Sequence, residues 1–303
     1  MSKKRVSVRY ALNEFKIIGL ALILYAMFVL FTPYLLRELF SLYNITNYKS
    51  INLEFAAKAI LMILGTVIPF LIVKLASKRT LRPKQKVEAS FKDIFVHAIV
   101  FFSLTSAAIF AMTAAASTFN IPGTLVSGIG ISIDSKYMGD LVYVLTFIVI
   151  SPILEEFAFR GVLLNTLSKY GKYFALVATS IIFALAHGSF MEFIPSFIMG
   201  ILLGKISLRY KSIKPVCWIH IIFNGLLYLL FLIPEEYSLY STIVLVLIYA
   251  IAIIFYLTKT YRHIVIKKAT SSKKVMTLFF TTSSVILAIA LFITHSVLTI
   301  LIK

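Results

Sequence analysis

No charged side chain interrupts the run from Ile17 to Leu36, and about 20 consecutive apolar residues are what an α-helix needs to cross the hydrocarbon of a bilayer. Comparable runs recur along the 303-residue chain, near Ala56 to Leu75, Ile94 to Ala116, Gly139 to Ser168, Tyr173 to His187, Phe193 to Leu208, Pro215 to Ile233, Leu239 to Leu257 and Val275 to Ile302. The pattern predicts an all-α, polytopic membrane protein with about nine transmembrane helices, eight to nine. A water-soluble globule is excluded, because 60% of the residues are hydrophobic and only 14% charged, far from the roughly one-quarter charge of soluble domains. The first run is also too long for the apolar core of a cleavable secretory signal.

Lys and Arg outnumber Asp and Glu by 30 to 12, a formal charge of +18. In a nucleic-acid binder such an excess would lie on a polar surface, whereas here it collects in alternate connections between apolar runs. These are the N-terminus, the stretch with Lys78, Arg79, Arg82, Lys84 and Lys86, the pair Lys169 and Lys172, the group Lys205, Arg209, Lys211 and Lys214, and the stretch from Lys259 to Lys274. The bias places the chain in the cell membrane with its N-terminus cytoplasmic and, for nine spans, its C-terminus outside. Membrane lipid is the expected partner and nucleic acid is not; the sequence is silent on oligomeric state. Cys217 is the single cysteine, so no intrachain disulfide framework exists and helix packing must supply stability. With neither an internal repeat nor a long linker, residues 1–303 read as one transmembrane domain. The stretch Asn120 to Gly130, with Pro122, Gly123, Gly128 and Gly130, reads as an outer loop or a shallow re-entrant piece.

The run from Gly139 to Ser168 contains Ser151-Pro-Ile-Leu-Glu155-Glu156-Phe-Ala-Phe-Arg160. A charge at the centre of a spanning helix costs about 2.5 to 3.5 kcal/mol, so these groups must pair, neutralise or line a wet cavity. Glu156 and Arg160 stand four apart in the favoured acid-before-base order and are expected to pair and brace the helix. Glu155 is left over, and a desolvated carboxylate is suited to serve as a general base. Two further runs supply polar groups. His187 ends Phe183-Ala-Leu-Ala-His187, and His220 shares a helix face with Asn224 in His220-Ile-Ile-Phe-Asn224. Two imidazoles and a carboxylate or amide oxygen make the three-ligand set of an open catalytic metal site, for which zinc is the first choice and His187, His220 and Glu155 the candidate ligands. The bound water would then attack a peptide carbonyl while Glu155 moves the proton. The alternative to this metal-assisted route is a metal-free one, with Glu155 and a histidine activating water and Asn224 donating to the oxyanion. Pro152 is expected to kink the helix and loosen the wall of the cavity.

At these residues the chain resembles the CAAX prenyl proteases and bacteriocin-processing or immunity proteins, the Abi-type intramembrane peptidases. Glu155, Glu156 and Arg160 look like that family's Glu-Glu-x-x-x-Arg, Phe183 to His187 like its Phe-x-x-x-His, and His220 to Asn224 like its His-x-x-x-Asn. The resemblance implies a helical catalytic core over 91–257, flanked by N-terminal helices over 1–90 and a C-terminal helix over 275–302. It also implies an endopeptidase that cuts a membrane-associated peptide or protein, with Glu155, Glu156, Arg160, His187, His220 and Asn224 forming its site. Two rivals accompany this reading. One is a non-catalytic immunity or regulatory binding protein of the same fold. The other is an ion-coupled transporter, whose inverted repeats or paired broken helices are not found in the sequence.

Overall fold

The computed structural model describes residues 8–31, 36, 38, 41, 48–77, 88–119, 141–255 and 272–301. The loop read at Asn120 to Gly130 and the basic stretch 78–86 lie outside the described residues. All the regular structure within them is helical: α1 (Val8–Ala26, running on as a π-helix over Met27–Phe31), α2 (Tyr48–Ala76), α3 (Phe91–Thr118), a compound α4 (141–170), α5 (Lys172–Ala186), α6 (Phe190–Tyr210), α7 (Lys214–Phe231), α8 (Ser238–Phe255), α9 (Ser272–Phe280) and α10 (Ser283–Leu301).

Three segments are long and apolar enough to cross a membrane, Ala59–Ala76, Phe91–Thr118 and Glu192–Tyr210. A fourth span results if α9 and α10, bent by 68° at their junction, are taken together. The helical membrane class therefore stands, while three or four spans, and not about nine, meet the length and composition of a span among the described residues. A hydropathy window counts apolar residues whether or not one straight helix carries them. At 1.5 Å per residue the 15 residues of α5 reach only about 22 Å, short of the roughly 30 Å hydrocarbon layer.

The helices sort around α4. On one side α1 packs along α10 and α2, and on the other α3 packs against α6, α7 and α8, while α4 touches α2, α5, α6 and α7. Aromatic rings fill the seams. Phe159 of α4 meets Phe183 of α5 edge-on at 5.1 Å and Tyr25 of α1 at 6.0 Å. Phe101 of α3 meets Phe223 of α7 at 4.9 Å. Helices α5 and α6 approach closely because Gly200 faces Ser180: a Cβ on Gly200 would lie 2.8 Å from the Ser180 Cβ, closer than side chains tolerate. In lipid, where no hydrophobic force drives helices together, such small-residue contacts let backbones pack tightly.

The outer helices are also tied to α4 by charge. Glu14 of α1, only 5% exposed, accepts hydrogen bonds from Lys169 Nζ and, at 2.6 Å, from the Tyr170 hydroxyl. Lys169 reads in sequence as a sidedness signal; in the fold it neutralises a buried carboxylate. Burial, followed by the hydrogen bond to Glu14, pushes the Tyr170 phenol well above its ordinary pKa, which keeps it protonated as the donor.

Candidate active site

Helix α4 is not uniform. Its regular turns at Leu141–Leu145, Ser151–Glu155 and Asn165–Leu167 alternate with π-helical turns at Thr146–Ile150 and Glu156–Leu164. The first wide turn has a local cause. Pro152 has no N–H and its ring crowds the carbonyl four residues earlier, so the preceding backbone re-pairs: the Ser151 N–H reaches five residues back to the Thr146 carbonyl. The residue five past Phe147 is Pro152 itself, which has no hydrogen to give. The Phe147 carbonyl is satisfied instead by Asn224 Nδ2 of α7, at 2.9 Å. The irregularity expected at Pro152 thus takes the form of a π-turn, a feature frequent at functional sites.

One turn on, Glu155 and Glu156 diverge in surroundings although they are adjacent in sequence. Glu156 is wholly buried. Its Oε1 accepts from Arg160 Nη1 at 2.7 Å and from His220 Nδ1 at 3.0 Å. The Arg160 guanidinium lies over the Phe183 ring, 4.1 Å from its centroid, a cation–π contact that suits a planar cation held away from water. Glu155 keeps 23% of its side chain exposed. Its Oε1 accepts from the Ser151 hydroxyl at 2.7 Å, and its Oε2 stands 3.9 Å from His220 Nε2.

The two histidines are oriented through their Nδ1 atoms. A carboxylate only accepts, so His220 donates Nδ1–H to Glu156 and turns Nε2 toward Glu155. His187 stands at the end of α5, its Nδ1 2.8 Å from the Phe183 carbonyl and its ring edge-on to that phenyl at 4.6 Å. A carbonyl likewise only accepts, so Nδ1 carries the proton here too and Nε2 bears the lone pair. Ser189, two residues on, accepts from the Glu192 N–H and starts α6, which holds the His187 turn from both ends. Glu155, His220 and Arg160 all lie within electrostatic reach of His187.

Six residues singled out by sequence are therefore assembled from three helices: Glu155, Glu156 and Arg160 from α4, His187 from α5, and His220 and Asn224 from α7. Glu155 Oε2, Glu156 Oε2 and Arg160 Nη2 are buried without a hydrogen-bond partner among the described residues. Orphaned polar atoms concentrated in this way mark a place where solvent or a polar ligand belongs. Among the described residues no group of three or more His, Cys, Asp and Glu is gathered closely enough to hold a metal ion. Cys217, one turn before His220, is half-buried and unpaired by disulfide. Sequence reading missed Ser151, whose only outward signal is its position four residues before Glu155.

Residues 137–226 match the family described as Type II CAAX prenyl endopeptidase Rce1-like. The likeness covers 90 of the 303 residues. The matched segment contains all six site residues and spans α4, α5, α6 and most of α7, and it leaves α1 to α3 and α8 to α10 outside. Neither a curated protein nor a solved structure matches the chain. The matched family is one of proteases, and the helices apolar enough to cross a membrane accord with a membrane protein.

Proposed function

We propose that the protein is an intramembrane endopeptidase in which Glu155 and His220 activate water against a peptide bond of a membrane-associated peptide or protein. The observation that carries this reading is the gap of 3.9 Å between Glu155 Oε2 and His220 Nε2. It is too long for a direct hydrogen bond, yet one water oxygen about 2.8 Å from each atom bridges it. Both atoms accept, so the water directs its two hydrogens at them and its lone pair at the substrate carbonyl.

The chemistry balances without an outside reagent. Water oxygen bonds to the carbonyl carbon as Glu155 takes its proton; the tetrahedral intermediate then expels the amine, which receives that proton from Glu155, and the peptide C–N bond breaks. The oxyanion is stabilised by donors held in place before reaction. Asn224 has one amide hydrogen on Phe147 and contributes the other. His187, its Nε2 lone pair facing the same charges, orients water or the departing amine. Glu156 and Arg160 hold the His220 ring. Every step runs through the chain's own residues. A prenylated C-terminal peptide, a bacteriocin precursor or a signalling peptide all satisfy this chemistry.

The test is to incubate the purified protein with membranes of its host and read new peptide termini by mass spectrometry. New termini that vanish in Glu155→Gln and in His220→Ala, both folded, support hydrolysis. Full biological function in Glu155→Gln overturns it and favours the binding role. Parallel digests with and without chelator read whether a metal takes part.

A further inference from the structure

We infer that Ser151 is a positioning residue for Glu155, and that Asn224 sets it by occupying the Phe147 carbonyl. The inference rests on the reading of Glu155 as general base.

A serine or threonine inside a helix ordinarily turns its hydroxyl back onto the carbonyl four residues earlier. This protein follows the habit widely. Ser103 bonds the Ile99 carbonyl at 2.8 Å, Ser168 that of Leu164 at 2.6 Å, Ser180 that of Leu176 at 2.7 Å and Ser296 that of Phe292 at 3.1 Å. Ser151 points the other way, donating forward to Glu155 Oε1 at 2.7 Å.

The reason lies in the wide turn before Pro152. The acceptor a back-turned Ser151 hydroxyl would use is the Phe147 carbonyl. Neither usual backbone donor serves that carbonyl, because the Ser151 N–H goes to Thr146 and Pro152 has none. Asn224 Nδ2 fills the place at 2.9 Å. With its usual acceptor engaged from α7, the hydroxyl is directed to the carboxylate one turn ahead. One Glu155 oxygen is thereby pinned, and rotation about the end of the side chain is arrested with Oε2 toward His220 Nε2. The amide of the His220-to-Asn224 pair thus acts on the base through two intermediaries, a backbone carbonyl and a hydroxyl, while the imidazole acts on it across the gap.

Two readouts test this, one independent of turnover. In the infrared spectrum of the full-length protein in lipid, the carboxylate stretch of Glu155 is assigned as the band lost in Glu155→Gln. Ser151→Ala is expected to shift that band by removing its hydroxyl donor, and Asn224→Ala to shift it likewise by letting Ser151 turn back to Phe147. Ser151→Thr, which keeps the hydroxyl, is expected to leave it in place. With a peptide identified from the host-membrane digest, Ser151→Ala is expected to lower kcat on the order of a hundredfold, the scale of a misplaced catalytic group, with KM unchanged and activity restored by Ser151→Thr. An unshifted band in Ser151→Ala overturns the positioning role, and an unshifted band in Asn224→Ala overturns the relay. Shifted bands in a protein that cleaves nothing leave the positioning intact and sink the peptidase reading instead.

Discussion

His220 donates its Nδ1–H to the Glu156 carboxylate at 3.0 Å while its other nitrogen stands 3.9 Å from the carboxylate of the neighbouring Glu155. One imidazole therefore spans two adjacent acids of a single helix, fixed by one and facing the other. Adjacent helical positions differ by about 100° in direction, so a ring on a second helix can address both only by lying across the helix between them. The two acids differ in setting: Glu156 is wholly buried and Glu155 keeps part of its side chain exposed.

Arg160→Met is expected to destabilise the fold by about 3 to 5 kcal/mol, the scale seen when one member of a buried ion pair is removed and the other charge is stranded. Glu156 would be the stranded charge. Thermal unfolding in detergent checks this, and an unchanged midpoint would show that His220 alone can hold the acid.

Tyr170→Phe removes one of the two donors to Glu14 and is expected to cost about 1.5 to 3 kcal/mol, as for a hydrogen bond to a charged group. The pH dependence has a definite sign. The folded phenol holds its proton more tightly than the unfolded one, whose pKa is near 10.0, so the folded state binds more protons above that value. Its contribution is full below about pH 10 and is lost as pH rises further. Unfolding midpoints of wild type and Tyr170→Phe should converge in alkali; parallel curves to high pH would contradict the assignment.

Gly200→Leu is expected to force α5 and α6 apart, costing about 1 to 3 kcal/mol in the manner of overpacked cores, because even a single Cβ there would crowd Ser180. Cross-linking between cysteines placed on the two helices should weaken in the variant. Retention of wild-type cross-linking and stability would mean that the helices have room to adjust.

Sidedness is checked with single cysteines in a Cys217→Ser background. Lys172 is exposed at the start of α5 and Leu141 is exposed at the start of α4. The alternation of basic connections predicts that a membrane-impermeant thiol reagent applied from the cytoplasmic side labels a cysteine at 172 and spares one at 141. The opposite pattern would invert the topology.

The helical membrane class and the pairing of Glu156 with Arg160 were legible because they follow from short-range rules: long apolar runs, and side chains four apart sharing a helix face. Glu156 and Arg160 show this most simply, a pair read from spacing and found at 2.7 Å. The number of spans was not legible, since hydropathy does not register where a helix stops, as at the 15-residue α5. Nor was the use of Lys169. Its partner Glu14 stands 155 positions away in sequence, beyond any local pattern, so a charge with a tertiary role looked like a topology marker. Ser151 and the amide of Asn224 were obscured for a different reason. Their contacts depend on which carbonyl a π-turn leaves unpaired, and the turn becomes apparent only when backbone hydrogen bonds are traced residue by residue.

The clasp of Glu14 by Lys169 and Tyr170 bears on how small a working version of this protein can be made. A clone trimmed to residues 137–226 would keep the six site residues, yet it would strip the carboxylate from a lysine and a phenol and bare the flank of α4 that α2 covers. The smallest piece able to stand alone is thus set by the outlying helices that brace the reactive centre, and it is larger than the stretch by which its kinship is detected.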